Sequence, residues 1–84
     1  MNQAIEAASK LEAATKAIDN MFSITVSIHY RDGATRVHLF SLRDLEQVPG
    51  EAVKFDTESE MFPVEYRKTV GSVEFFVWLK EEEV

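Results

Sequence analysis

The chain reads as a small α+β domain: an N-terminal helix packed on an antiparallel sheet of four or five strands, in the order α-β-β-(short α)-(β)-β-β. Three observations predict it. Residues 3–19 are rich in Ala, Glu, Lys and Leu and contain neither Gly nor Pro, the composition of a helix. Residues 22–30 alternate strictly, with Phe22, Ile24, Val26, Ile28 and Tyr30 interleaved with Ser23, Thr25, Ser27 and His29, which is the pattern of a strand buried on one face. Asp32-Gly33 follows, the dipeptide that readily takes the positive φ angles of a two-residue type I′ turn.

In the helix, Ala4, Ala8, Leu11, Thr15 and Ile18 recur at helical spacing, and Ile5, Ala7 and Ala14 widen the stripe. Glu6–Lys10 and Glu12–Lys16 are i,i+4 pairs that mark the solvated side. An alanine face lies close to a sheet but buries little area, so docking must stabilise this helix. A coiled coil is disfavoured, because Glu12 falls where a heptad wants an apolar residue. Asn20 is the expected C-terminal cap.

The first hairpin, residues 22–30 and 35–40, pairs Ile28 with Val37 and Val26 with Leu39 around Asp32-Gly33. A one-residue slip would send Arg36 and His38 into the core, so the register is well specified. Ser41 is a weak N-cap for a helical turn at 42–47, which carries Leu42 and Leu45 and is stopped by Pro49-Gly50. A short strand at 52–55 and an acidic loop from Asp56 to Glu60 precede a second hairpin, 63–68 and 73–80, around Gly71. Its register stays open between a Val70-Gly71 turn, opposing Tyr66 with Phe75, and a Thr69-Val70-Gly71 loop, opposing Val64 with Phe76. Residues 81–84 are expected to fray as an acidic tail.

The 84 residues make one domain, 1–84, without repeat or linker. The absence of cysteine excludes disulfides and thiolate-ligated metals and points to a reducing, cytoplasmic setting. No segment has the length and apolarity of a membrane span or the pattern of a signal peptide. The net charge is −6, and residues 51–84 hold nine acids against four bases, which disfavours direct nucleic-acid binding.

Catalytic and metal chemistry find little support. Asp56, Glu58 and Glu60 alternate like the start of an EF-hand loop, but Met61 stands where that loop needs glycine and Arg67 where it needs glutamate. His29 and His38 are diagonal neighbours on the polar face of the first hairpin. They lack the further ligands a zinc site requires, so neither a metal nor a cofactor is expected. No serine sits in a nucleophile motif and no glycine-rich phosphate loop exists. The chain is therefore expected to be non-enzymatic.

The remaining signal lies in the last strand. Val73, Phe75, Val77 and Leu79 line one face, while Phe76 and Trp78 lie on the other beside Glu74 and Lys80. A strand apolar on both faces wants cover on both. Either the loop at 56–62 supplies it through Met61 and Phe62, or the patch is open to another chain; the patch is the favoured reading. The expected function is that of an acidic accessory module that binds a protein partner through Phe76, Trp78, Glu74 and Phe62, with a homodimer as one form. The alternatives are an inhibitor whose carboxylates mimic nucleic acid and, less favoured, a small metal-dependent or hydrolytic enzyme.

Overall fold

A computed structural model describes residues 2–22, 25–80 and 82. Its element order is α1 (Gln3–Met21), β1 (Thr25–Arg31), β2 (Ala34–Leu39), α2 (Leu42–Leu45), β3 (Val53–Asp56), β4 (Val64–Val70) and β5 (Val73–Leu79). The class is α+β as expected, and the strands form one five-stranded sheet in the order β1-β2-β5-β4-β3. The sheet is mixed rather than wholly antiparallel. Its central pair, β2 and β5, is parallel, with Val37 beside Phe75 and His38 beside Phe76. Two local units, the β1–β2 hairpin and the β3–β4–β5 meander, are thus joined through a non-local pairing that no local pattern announces.

α1 begins at Asn2, whose side-chain oxygen accepts a hydrogen bond from the Ala4 N–H at 2.8 Å. It does not stop at Asn20. The helix continues to Met21, and Phe22 caps it in extended conformation while donating its N–H to the Ile18 carbonyl. Docking of the Phe22 ring decides this end, for it is buried and lies 5.9 Å from the Phe75 ring. Phe22 is therefore a cap and a core residue, not the first residue of β1. The expected strand positions Ser23 and Ile24 lie outside the described residues, as do Glu81, Glu83 and Val84 of the expected tail.

Contact between α1 and the sheet is confined to the helix's last turns. No α1 residue is buried, Ile18 is the helix residue that packs on the core, and Ile5 and Leu11 remain 67% and 63% exposed. The alanine stripe expected on the sheet does not lie there. α2 and the turn after it cover that face instead, through Leu42, Leu45 and Val48. The α2 start is set by Ser41, whose Oγ accepts from the Asp44 N–H at 3.3 Å. Together with Phe22, Val37, Leu39, Val77 and Leu79, Leu45 and Val48 form the core, flanked by half-buried Ile28, Tyr66, Val73 and Phe75.

The first turn is as predicted. Asp32 and Gly33 have φ of 51° and 82°, and the strands pair Ile28 with Val37, His29 with Arg36 and Ser27 with His38. Beyond Ser27 the pairing shifts, so Leu39 faces Thr25 and not Val26. The irregularity takes Val26 out of the ladder and leaves it exposed on an edge strand, a usual place for a bulge. The second turn corrects both sequence registers. Val70 pairs with Val73 and Tyr66 with Val77, so the turn is Gly71-Ser72. Only Gly71 of the two has positive φ, 60°. That is the type II′ arrangement, with glycine at the first central position.

Among the described residues no helix is long and apolar enough to cross a membrane.

Candidate functional site at the open sheet face

Strand alternation puts Arg36 and His38 of β2, Glu74, Phe76 and Trp78 of β5, and Glu65 and Arg67 of β4 on the face opposite α2, in register with one another. His29 joins from β1 and Phe55 from β3. These side chains build a second, polar-aromatic layer. Phe76 is 1% exposed, yet neither the 56–62 loop nor bare solvent explains it. The His38 ring stacks on it at 4.7 Å and 13°, the Arg36 guanidinium sits 4.0 Å above its centroid, and His29 meets it edge-on at 6.4 Å. The strand thus finds cover for its second face in the long side chains of its neighbours.

Glu65 is the hub of the layer. Its Oε2 accepts from Arg36 Nη2 at 2.9 Å and from Arg67 Nε at 2.8 Å, and its Oε1 accepts from the Trp78 indole N–H at 2.9 Å. Glu74 takes Arg36 Nε at 2.9 Å and lies 3.7 Å from Arg67 Nη1. Two carboxylates meet two guanidinium groups, so the quartet is neutral as a whole. Arg67 also rests 4.1 Å over the Phe55 ring. The network fixes Trp78 by its indole nitrogen, and His38 presses against it at 4.5 Å.

The titration of this layer follows from the same contacts. Burial pushes the Glu65 pKa up, but hydrogen bonds from Trp78, Arg67 and Arg36 outweigh it and hold the carboxyl below its ordinary value of 4.5. For His38 burial comes first and lowers the pKa; Glu65 opposes, Arg36 and His29 add to the lowering, and the net value falls below 6.5. Both groups bind protons less readily folded than unfolded, so both contributions are intact at neutral pH and are lost on acidification. The His38 part goes as pH falls from 6.5 through its folded value, and the Glu65 part as pH falls from 4.5 through its own. Urea midpoints measured across this range are expected to decline in those two stages. His38→Phe should remove the first and Glu65→Gln the second. A wild-type midpoint that is flat between about pH 7 and about pH 4 would contradict the assignment.

An ionised, fully hydrogen-bonded Glu65 is a poor general base. Among the described residues no group of three or more His, Asp or Glu is placed to hold a metal ion. The Asp56, Glu58 and Glu60 side chains belong to exposed residues of a loop tied by its own hydroxyls. There the Thr57 N–H donates to the Pro63 carbonyl, Ser59 N–H to Thr57 Oγ1, and Phe62 N–H to Ser59 Oγ.

Beside this layer opens a cleft. Because β2 and β5 run parallel, their C-terminal ends reach the same edge of the sheet, bringing Phe40 and Leu79 together. With Leu42, Phe62, Trp78 and Lys80 they line a cavity of about 620 Å³. Phe40 is 63% exposed and Trp78 42%, while Leu79 is buried.

Of the residues singled out in the sequence, the structure unites Trp78 and Phe62 at this cleft. Phe76 lies beneath the polar layer, and Glu74 faces Arg36 and Arg67 away from it. Phe40 escaped the sequence reading, although it continues the Arg36–His38 alternation as an aromatic residue on a polar face, which was the available signal. Comparison with protein-family models, curated proteins and solved structures finds no significant match.

Proposed function

We propose that this chain is a non-enzymatic binding module that takes an apolar segment of a partner protein into the cleft between Phe40, Phe62 and Trp78. The observation that carries the proposal is the pairing of exposed aromatic rings with a rigid mount. Phe40 and Trp78 stand open to solvent over Leu42 and Leu79, while Trp78 is held from behind by Glu65 and His38. Tryptophan in such a setting is a frequent energetic centre of protein interfaces, and pre-fixed rings lower the ordering cost of binding. Mimicry of nucleic acid has less support, because Glu65 and Glu74 spend their charge on Arg36 and Arg67. The cysteine-free composition favours a cytoplasmic setting.

Panning a random peptide library against the immobilised protein tests the reading, with Phe40→Ser as the counter-target. Phe40 lies outside the core, so the variant should stay folded. Enriched peptides are expected to share a bulky apolar anchor, to alter the fluorescence of Trp78, and to bind Phe40→Ser at least about tenfold more weakly, equivalent to about 1.4 kcal/mol. Binding should persist in high salt. No enrichment, or equal binding to Phe40→Ser, would overturn the proposal.

A further inference from the structure

α1 is a long helix with little to rest on. It spans about 28 Å at 1.5 Å per residue, has no buried residue and meets the core through Ile18. In proteins a helix draws most of its stability from packing an amphipathic face rather than from propensity, and in a single copy this one packs little. The whole molecule shows the consequence. Its accessible surface is 6286 Å², where a compact monomer of this mass exposes about 5,100 Å². Its radius of gyration is 14.2 Å and its longest extent 50 Å, where a compact chain of this length has a radius of about 12 Å. The excess surface, on the order of 1,200 Å² per copy, exceeds the roughly 800 Å² that each partner buries in a standard interface.

The sequence of α1 identifies what covers it. Counted through Ala4, a heptad seam runs Ala4, Ala7, Leu11, Ala14, Ile18 and Met21, and in this frame Glu12 lies outside the seam. Large and small residues are placed so that reversal of direction matches them. In an antiparallel pair with Leu11 opposite Ala14, Ile18 falls opposite Ala7 and Met21 opposite Ala4. Every layer then holds one alanine and one large side chain. A parallel pair in register would set alanine on alanine at positions 4, 7 and 14 and large on large at 11, 18 and 21, leaving voids beside clashes. Glu6, Glu12, Lys16 and Asp19 remain outside the antiparallel seam, and the opposed helix dipoles attract.

We infer that α1 pairs with α1 of a second copy of this chain, antiparallel and centred between Leu11 and Ala14, making the protein a two-fold symmetric dimer. No α1 residue lines the Phe40–Trp78 cleft, so the dimer stands independently of the binding proposal. The partner helix's N-terminal half would lie beside Ile18 and Met21, where the exposed stripe continues into the sheet core.

Sedimentation equilibrium of the full chain is expected to give a dimer. Leu11→Glu, at a position exposed in the single copy, should weaken association at least about a hundredfold by placing a charge in the seam, while Trp78 fluorescence and the circular dichroism of the sheet stay unchanged. The chain has no cysteine of its own, so direction can be read by oxidation. A mixture of Ala4→Cys and Met21→Cys proteins should give the mixed disulfide. Either variant alone should not, because like positions lie about 25 Å apart along an antiparallel pair at 1.5 Å per residue, far beyond disulfide reach. A monomeric wild type, a Leu11→Glu variant that remains a dimer, or disulfides formed by each variant alone would overturn the inference.

Discussion

Replacing Glu65 by alanine is expected to cost about 3–5 kcal/mol of folding stability, the range for removing one partner of a buried ion pair. The reason is what stays behind. Arg36, with a side chain 15% exposed, and Arg67, 26% exposed, would be left to share Glu74 alone, with one positive charge uncompensated, and the Trp78 indole N–H would lose its acceptor. For a domain of this size the loss is a large part of the total. Glu65→Gln should fall between wild type and Glu65→Ala, because the amide oxygen can still accept from Trp78 while the charge is gone. Urea unfolding followed by circular dichroism measures both. A loss below about 1 kcal/mol for Glu65→Ala, the level of an exposed surface pair, would mean that the quartet is solvated and not the organising centre of this face.

Phe76→Ala carries the second large effect, also about 3–5 kcal/mol, as for other buried phenylalanine truncations. Phe76 stands on the face that no helix covers and is nevertheless 1% exposed. Its removal would undercut the His38 stack and the seat of Arg36, both of which rest on its ring, and Trp78 fluorescence should shift red as its neighbour at 5.6 Å disappears. Phe76→Leu should cost less, about 1–2 kcal/mol, since it keeps most of the buried apolar volume. If chemical denaturation finds Phe76→Ala no worse than a surface substitution, within about 0.5 kcal/mol, the polar layer does not close over the ring.

Legibility differed between hairpins for a chemical reason. Asp32-Gly33 is a type I′ dipeptide flanked by strict alternation, and its turn and nearest pairs, including Ile28 with Val37, are as read. Around Gly71 the strand that follows, β5, is apolar on both faces, so its alternation could not choose a register. The choice rested on turn chemistry, and the reading put glycine at the last turn position, whereas the fold uses it at the first, with Ser72 behind it. The aromatic residues of the candidate site were legible in part. Trp78 and Phe62 do share a cleft, because an unpaired aromatic on a strand's outer face signals a need for cover. Phe76 could not be told from Trp78 by that signal. What buries it is Arg36, His38 and His29, which only the alignment of β2 with β5 brings above it.

The sequence alone determined what local physics decides: the extent of α1 to within two residues, the existence of the strands, the first turn, the Ser41 cap, and which residues share a strand face, Val26 at the β1 irregularity excepted. These follow from side-chain periodicity and from the φ angles that particular residues tolerate. Tertiary structure decided the parallel union of β2 with β5, the neutral quartet around Glu65, the cleft at the joined strand ends and the projection of α1 away from the sheet. Each of these joins residues far apart in the chain, as Arg36 to Glu65 and Glu74. Such pairings are selected by how whole surfaces fit and by how buried charges find partners, quantities that no window of neighbouring residues contains.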